Sequence, residues 1–152
     1  MLEINTKAPD FELNVTTNQK LALHDLIGKN VILAFYPADW SPVCGDQMAL
    51  YNELYPLFSK YNAELLGISV DGKWCHAAYR ESRKLQFPLL SDFEPKGEIS
   101  KKYGVYSEKD GRSERAIFVL DAKGIIRWTN LSPAGMNPGA DGIFEALEAI
   151  IK

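Results

Sequence analysis

Apolar positions along this 152-residue chain follow two alternating rhythms. Continuous short runs, "NVILAFYP" (30–37), "ELLGISVD" (64–71), "RAIFVLD" (115–121) and "IIRWTNLS" (125–132), are rich in β-branched and aromatic residues, which predicts four strands. Elsewhere the spacing becomes helical. In "VCGDQMALYNELYPLFSKYN" (43–62) Met48, Tyr51, Leu54, Tyr55 and Phe58 recur at three- and four-residue steps, the pattern of an amphipathic crossover helix. Pro56 has no N–H for the helix ladder, so a kink is expected there. Further helices are predicted through "KWCHAAYRESRKL" (73–85), "EPKGEISKKYG" (94–104) and "GADGIFEALEAIIK" (139–152), the last with an apolar stripe of Phe144, Leu147, Ile150 and Ile151. The final two strands are joined by "DAKG", where Gly124 takes positive φ at low cost, and should form a hairpin. The Pro- and Gly-rich "SPAGMNPGADG" (132–142) reads as a loop into the last helix. Strands alternating with helices imply an α/β fold with a largely parallel sheet.

At 46% hydrophobic and 24% charged, with no repeat or linker, residues 1–152 read as one globular domain long enough to bury a core. A formal charge of -3 leaves no basic footprint for nucleic acid or an anionic membrane surface. No run approaches the roughly 18 apolar residues of a membrane span, and "MLEINTKAPDFEL" lacks a signal peptide's basic and apolar regions, so a cytoplasmic location is expected. Cys44 and Cys75 are too few for a disulfide-stapled scaffold. His24 and His76 match no zinc spacing with them, and neither a metal nor a cofactor is expected.

Cys44 carries the candidate chemistry. It follows the strand 30–37 at the start of the crossover helix, where unpaired N–H groups and the positive end of the helix dipole favour a thiolate over a thiol. Pro37 closes the strand because it cannot donate to a ladder, and it can shield the sulfur. Ser41, three residues before Cys44, offers a hydroxyl to a bound oxygen; equally, Ser41-Pro42 is an ordinary N-cap followed by proline at the first helical position. A cysteine that merely fills the core is the alternative for Cys44.

The stretch Pro37-Ala38-Asp39-Trp40-Ser41-Pro42-Val43-Cys44 resembles the P-x-x-x-[T/S]-x-x-C signature of peroxiredoxins, thiol peroxidases of the AhpC/TSA superfamily. The likeness extends over nearly the whole chain: "APDFEL" (8–13), "LLGISVDG" (65–72), "FPLLSD" (87–92) and "RAIFVLD" (115–121) resemble further family segments. Among subgroups the chain is similar to the bacterioferritin-comigratory (PrxQ) and AhpE-like proteins. Ser41 stands where Thr is commoner and Gln47 where many members have Glu, and no C-terminal arm with a resolving cysteine follows before Lys152. The resemblance implies a thioredoxin-like fold, a central mixed β-sheet flanked by helices, and a peroxidase acting on hydrogen peroxide and organic hydroperoxides without a cofactor.

On this resemblance Cys44 is the attacking sulfur, and Arg115 holds both the thiolate and the charge moving onto oxygen. Pro37, the Ser41 hydroxyl and the Cys44 N–H complete the site. The alternative for Arg115 is a surface ion pair with Glu114. Attack leaves a sulfenic acid that must be reduced. Cys75, in the first turn of the helix after the strand 64–71, should sit at the same sheet edge, and some PrxQ-like proteins resolve from this helix. The other reading makes Cys75 a small residue packed under Trp74, with an external thiol as resolver. Thioredoxin is the implied reductant, glutaredoxin and small thiols being others. The loop with Asp39 and Trp40 resembles a dimer zone of AhpE-like members, which leaves homodimer and monomer both open. Two other classes remain in view. A disulfide reductase on this fold needs a second cysteine where Gln47 stands, and a non-catalytic binding module would have no use for Pro37, Ser41, Cys44 and Arg115 together.

Overall fold

The computed structural model describes residues 1–151. Nine strands occur, β1 (Glu12–Asn14), β2 (Lys20–Ala22), β3 (Asn30–Phe35), β4 (Ala63–Ser69), β5 (Leu89–Ser91), β6 (Tyr106–Ser107), β7 (Arg112–Ser113), β8 (Arg115–Leu120) and β9 (Ile126–Ser132). The helices are α1 (Pro42–Phe58), α2 (Lys73–Arg83), α3 (Glu98–Lys102) and α4 (Asp141–Ile151). Lys152, the last residue of the expected C-terminal helix, lies outside the described residues.

Seven strands form one sheet in the order β2-β1-β5-β4-β3-β8-β9, while β6 and β7 make a separate ribbon. The sheet is mixed, as the resemblance implied, and not largely parallel as the alternation of strands and helices alone suggested. Only β3, β4 and β5 run parallel, because only they are joined by the full crossover helices α1 and α2. After α2 no such helix returns the chain, and β8 enters antiparallel to β3 with β9 as its hairpin partner. The hairpin turn is the expected one, with Gly124 at φ 82° and its N–H bonded to the Asp121 carbonyl. The helix expected over 94–104 is reduced to five residues because Gly97 is left-handed at φ 69°, and the Asp92 carboxylate accepts the N–H groups of Ile99 and Ser100 at its start. Pro56 lies in the last turn of α1, which ends two residues later, so its missing N–H removes a bond only near the helix end.

All six residues of β3 and all six of β8 are buried, since these strands are paired on both edges and covered on both faces. Alternation divides the core. Ile32, Ala34 and Tyr36 pack with Ile117, Val119 and the inner faces of α1 and α4. Val31, Leu33 and Phe35 pack with Phe118, Leu120, Tyr103 and Phe11 on the other side. The same pairing positions the chemistry. Phe35 is in register with Ile68 of parallel β4 and with Ala116 of antiparallel β8, so the ends of β3 and β4 and the first residue of β8, Arg115, meet at one sheet edge. Among the described residues no helix is long and apolar enough to cross a membrane.

Candidate active site

Helix α1 begins as the Ser-Pro pair predicts. Ser41 is the N-cap with φ -70° and ψ 142°, its Oγ accepting the Cys44 N–H at 3.3 Å, and Pro42 occupies the first helical position. Cys44 is therefore in the first turn with its side chain turned inward, 0% exposed. Pro37, just beyond β3, is buried as well.

Arg115 is 1% exposed and among the described residues pairs with no acid, which removes the surface ion pair with Glu114 from consideration. Nη2 donates to Cys44 Sγ at 3.3 Å and to the Ala134 carbonyl, Nη1 donates to Gln47 Oε1 at 2.7 Å, and Nε donates to the same Ala134 carbonyl at 3.2 Å. The planar fork is thus fixed on three sides. Gln47, one turn beyond Cys44, is itself buried and donates to the Tyr51 hydroxyl at 3.2 Å. A guanidinium that donates to sulfur and a helix N-terminus beneath it both stabilise negative charge at that sulfur. Ser41, Cys44 and Arg115 come together here, with Pro37 behind them.

Cys75 lies at the same sheet edge, in the first turn of α2, half-buried, and both cysteines are free thiols. It does not sit under Trp74, which is 72% exposed. Its neighbours are Trp40 and the carboxylates of Asp39 and Asp71, whose oxygens and the Cys75 sulfur lie within 4.8 Å of one another. Burial, followed by the Asp39 and Asp71 charges, pushes the Cys75 thiol up to about 11. Asp39 in turn accepts the Tyr36 hydroxyl at 2.6 Å and meets His76 Nδ1 at 2.7 Å, while its N–H donates to Asp71 Oδ2 at 2.8 Å and so ties the two loops together. His24 is elsewhere, exposed and paired with Asp10.

Several of these groups carry no clear sequence signal. Asp39, Asp71, Tyr36 and His76 are scattered over 41 positions and meet only through the pairing of β3 with β4, and the Ala134 carbonyl is a backbone atom in a loop. The adjacency of Cys75 and His76 was the one available hint.

A cysteine at the head of the helix that follows a central strand, on this sheet order, defines a thiol site of the thioredoxin-like class. The chain belongs to the AhpC/TSA family, which residues 4–129 match. It is 35% identical over 136 residues to alkyl hydroperoxide reductase E of Mycobacterium bovis, with 89% of each chain covered. It is 34% identical over 158 residues to the chloroplastic 2-Cys peroxiredoxin BAS1 of Spinacia oleracea, covering 97% of this chain but 59% of the spinach protein's length. The crystal structure of peroxidoxin BcpB from Mycobacterium tuberculosis superposes with a TM-score of 0.89 at 29% identity, covering 99% of both chains.

Proposed function

We propose that the protein is a thiol-specific peroxidase in which Cys44 attacks hydrogen peroxide and organic hydroperoxides. The observation that carries this reading is the buried contact between Arg115 Nη2 and Cys44 Sγ at 3.3 Å, in a chain whose relatives bear the names peroxiredoxin and alkyl hydroperoxide reductase. The thiolate sulfur forms a bond to one peroxide oxygen as the O–O bond breaks, and the other oxygen leaves as hydroxide or alkoxide and takes up a proton. Charge moves from sulfur to oxygen, so donors serve the step better than a base. Arg115 follows that charge, and the Ser41 hydroxyl, whose oxygen accepts the Cys44 N–H, can turn its own proton to the incoming oxygens. A cleft of about 430 Å³ opens on Arg115, with Pro37, Leu131 and Pro133 on one part of its wall and Asp110, Arg112 and Glu114 on another.

Cys75 then resolves the sulfenic acid as a disulfide within one chain, and thioredoxin or a similar thiol restores both cysteines. Their placement beyond adjacent parallel strands supports this. A second reading, a one-cysteine enzyme served by an external thiol, is favoured by the free state of both sulfurs inside intact helix starts, since a disulfide needs Cα atoms within about 7 Å. Two free cysteines suit the reducing cytoplasm. Trp40, 52% exposed beside the site, supports pairing of two copies through this loop.

The test is peroxide consumption with dithiothreitol, with mass spectrometry after one equivalent of peroxide. Turnover by the wild type and none by Cys44→Ser is expected, together with a Cys44–Cys75 disulfide that Cys75→Ser replaces by sulfenic or sulfinic acid. Equal turnover in Cys44→Ser refutes the peroxidase reading; a stable sulfenic acid in the wild type selects the one-cysteine form.

A further inference from the structure

The polar cluster beside Cys75 is more than packing. Asp39, its side chain fully buried, has both oxygens engaged: Oδ1 accepts from Tyr36 and Oδ2 meets His76 Nδ1. His76 Nε2 faces the Leu90 carbonyl oxygen at 3.1 Å, and because a carbonyl can only accept, Nε2 carries a proton. Both Asp39 oxygens are thus occupied by partners within the core. Asp71 differs. Its Oδ2 accepts from the Ser69 hydroxyl at 2.6 Å and from the Asp39 N–H, while among the described residues its Oδ1 accepts no hydrogen bond. It is also half-exposed, so a proton placed on it has a route outward. Tyr79, one turn beyond Cys75 on α2, completes the surroundings. Among the described residues its buried hydroxyl has no hydrogen-bond partner, and Arg83 lies over its ring.

We propose that Asp71 is the general base that takes the proton from Cys75 in the resolving step, with Asp39 and His76 holding it in place through the Asp39 N–H. This rests on the reading of Cys75 as the resolving cysteine. A carboxylate oxygen within 4.8 Å of the sulfur is in reach of its proton through one water. The step balances without a further reagent. Cys75 S–H gives its proton to Asp71, and the thiolate attacks the Cys44 sulfur. The S–S bond forms, the S–O bond breaks, and hydroxide leaves and takes the proton from Asp71 as water. Cys44 sulfur is reduced as Cys75 sulfur is oxidised. In the resting protein the carboxylates oppose ionisation of Cys75, which keeps it a quiet thiol while Cys44 reacts.

Two effects of Asp71→Asn have opposite signs, which makes the test decisive. Loss of a negative charge eases thiol ionisation and would speed resolution; loss of the base slows it. The full-length protein is mixed with one equivalent of hydrogen peroxide, quenched at intervals and analysed by mass, so that sulfenic acid to disulfide is followed by itself. With the base lost, Asp71→Asn should slow this conversion on the order of 100-fold near neutral pH, and its rate should climb about tenfold per pH unit as hydroxide takes over. Asparagine can still accept from Ser69 and the Asp39 N–H, and Asp71→Glu, which keeps a carboxylate, should stay within about tenfold of wild type. Conversion in Asp71→Asn as fast as or faster than wild type overturns the proposal alone. A wild type that stops at sulfenic acid overturns it together with the resolving role of Cys75.

Discussion

Arg115→Lys separates charge from geometry at the site. The ammonium keeps a positive charge near Cys44 but is one nitrogen on a flexible stem, and it cannot reach Cys44 Sγ, Gln47 Oε1 and the Ala134 carbonyl together as the guanidinium does. A hydrogen bond involving a charged group is worth about 1.5–3 kcal/mol, and where that bond is made mainly to the charge developing on oxygen, its loss slows attack by roughly 10- to 150-fold. The unpaired buried acceptors add a stability cost of about 1–3 kcal/mol each. Stopped-flow measurement of the second-order rate constant with hydrogen peroxide gives the first quantity, and denaturant unfolding gives the second. The rate constant should fall while alkylation of Cys44 by a neutral reagent falls much less, since alkylation needs the thiolate but not the stabilised oxygen. A folded Arg115→Lys protein with a peroxide rate constant within twofold of wild type would refute the assignment.

Ser41→Ala removes the hydroxyl that caps α1, so it should cost about 1 kcal/mol in unfolding experiments and slow peroxide attack, whereas Ser41→Thr should keep both; equal kinetics for all three leaves only the cap. Alkaline pH should destabilise the fold. Burial, then the Asp39 charge, raises the Cys75 thiol from 9.0 to about 11, and burial raises the Tyr51 and Tyr79 hydroxyls from 10.0 to about 12. Each group is bound to its proton more tightly when folded, so its contribution is complete below the unfolded value and is lost as pH climbs through the folded one. Melting temperature should hold to about pH 9 and then decline, with Cys75→Ser declining later than wild type; superimposable alkaline profiles would contradict the raised thiol.

Much of this molecule was legible because β3, β4 and β8 are central strands largely buried on both faces and so read as unbroken apolar runs; these and the edge strand β9 lie within two residues of the runs that predicted them. Strands β1, β2, β6 and β7, two or three residues long, are too short to show a period. Strand direction was not legible either, since periodicity says which face is buried and nothing about which neighbour a strand chooses. The head of α1 was readable because Pro37, Ser41 and Cys44 are local to one loop and one turn. Arg115 stood out only through family resemblance, and the Asp39–His76 pair, 37 positions apart, is created by tertiary pairing and has no local signature.

The contact between Arg115 and Cys44 joins residues 71 positions apart, and the arginine opens a strand that must pair beside β3 to bring it there. At synthesis rates of about 5–20 residues per second, the ribosome delivers the cysteine some seconds before its arginine has been made. Throughout that interval the sulfur has no guanidinium beside it. On the peroxidase reading a nascent chain should therefore react with oxidant more slowly than the finished protein, until the seventy-first residue after the cysteine has been added and β8 has paired with β3.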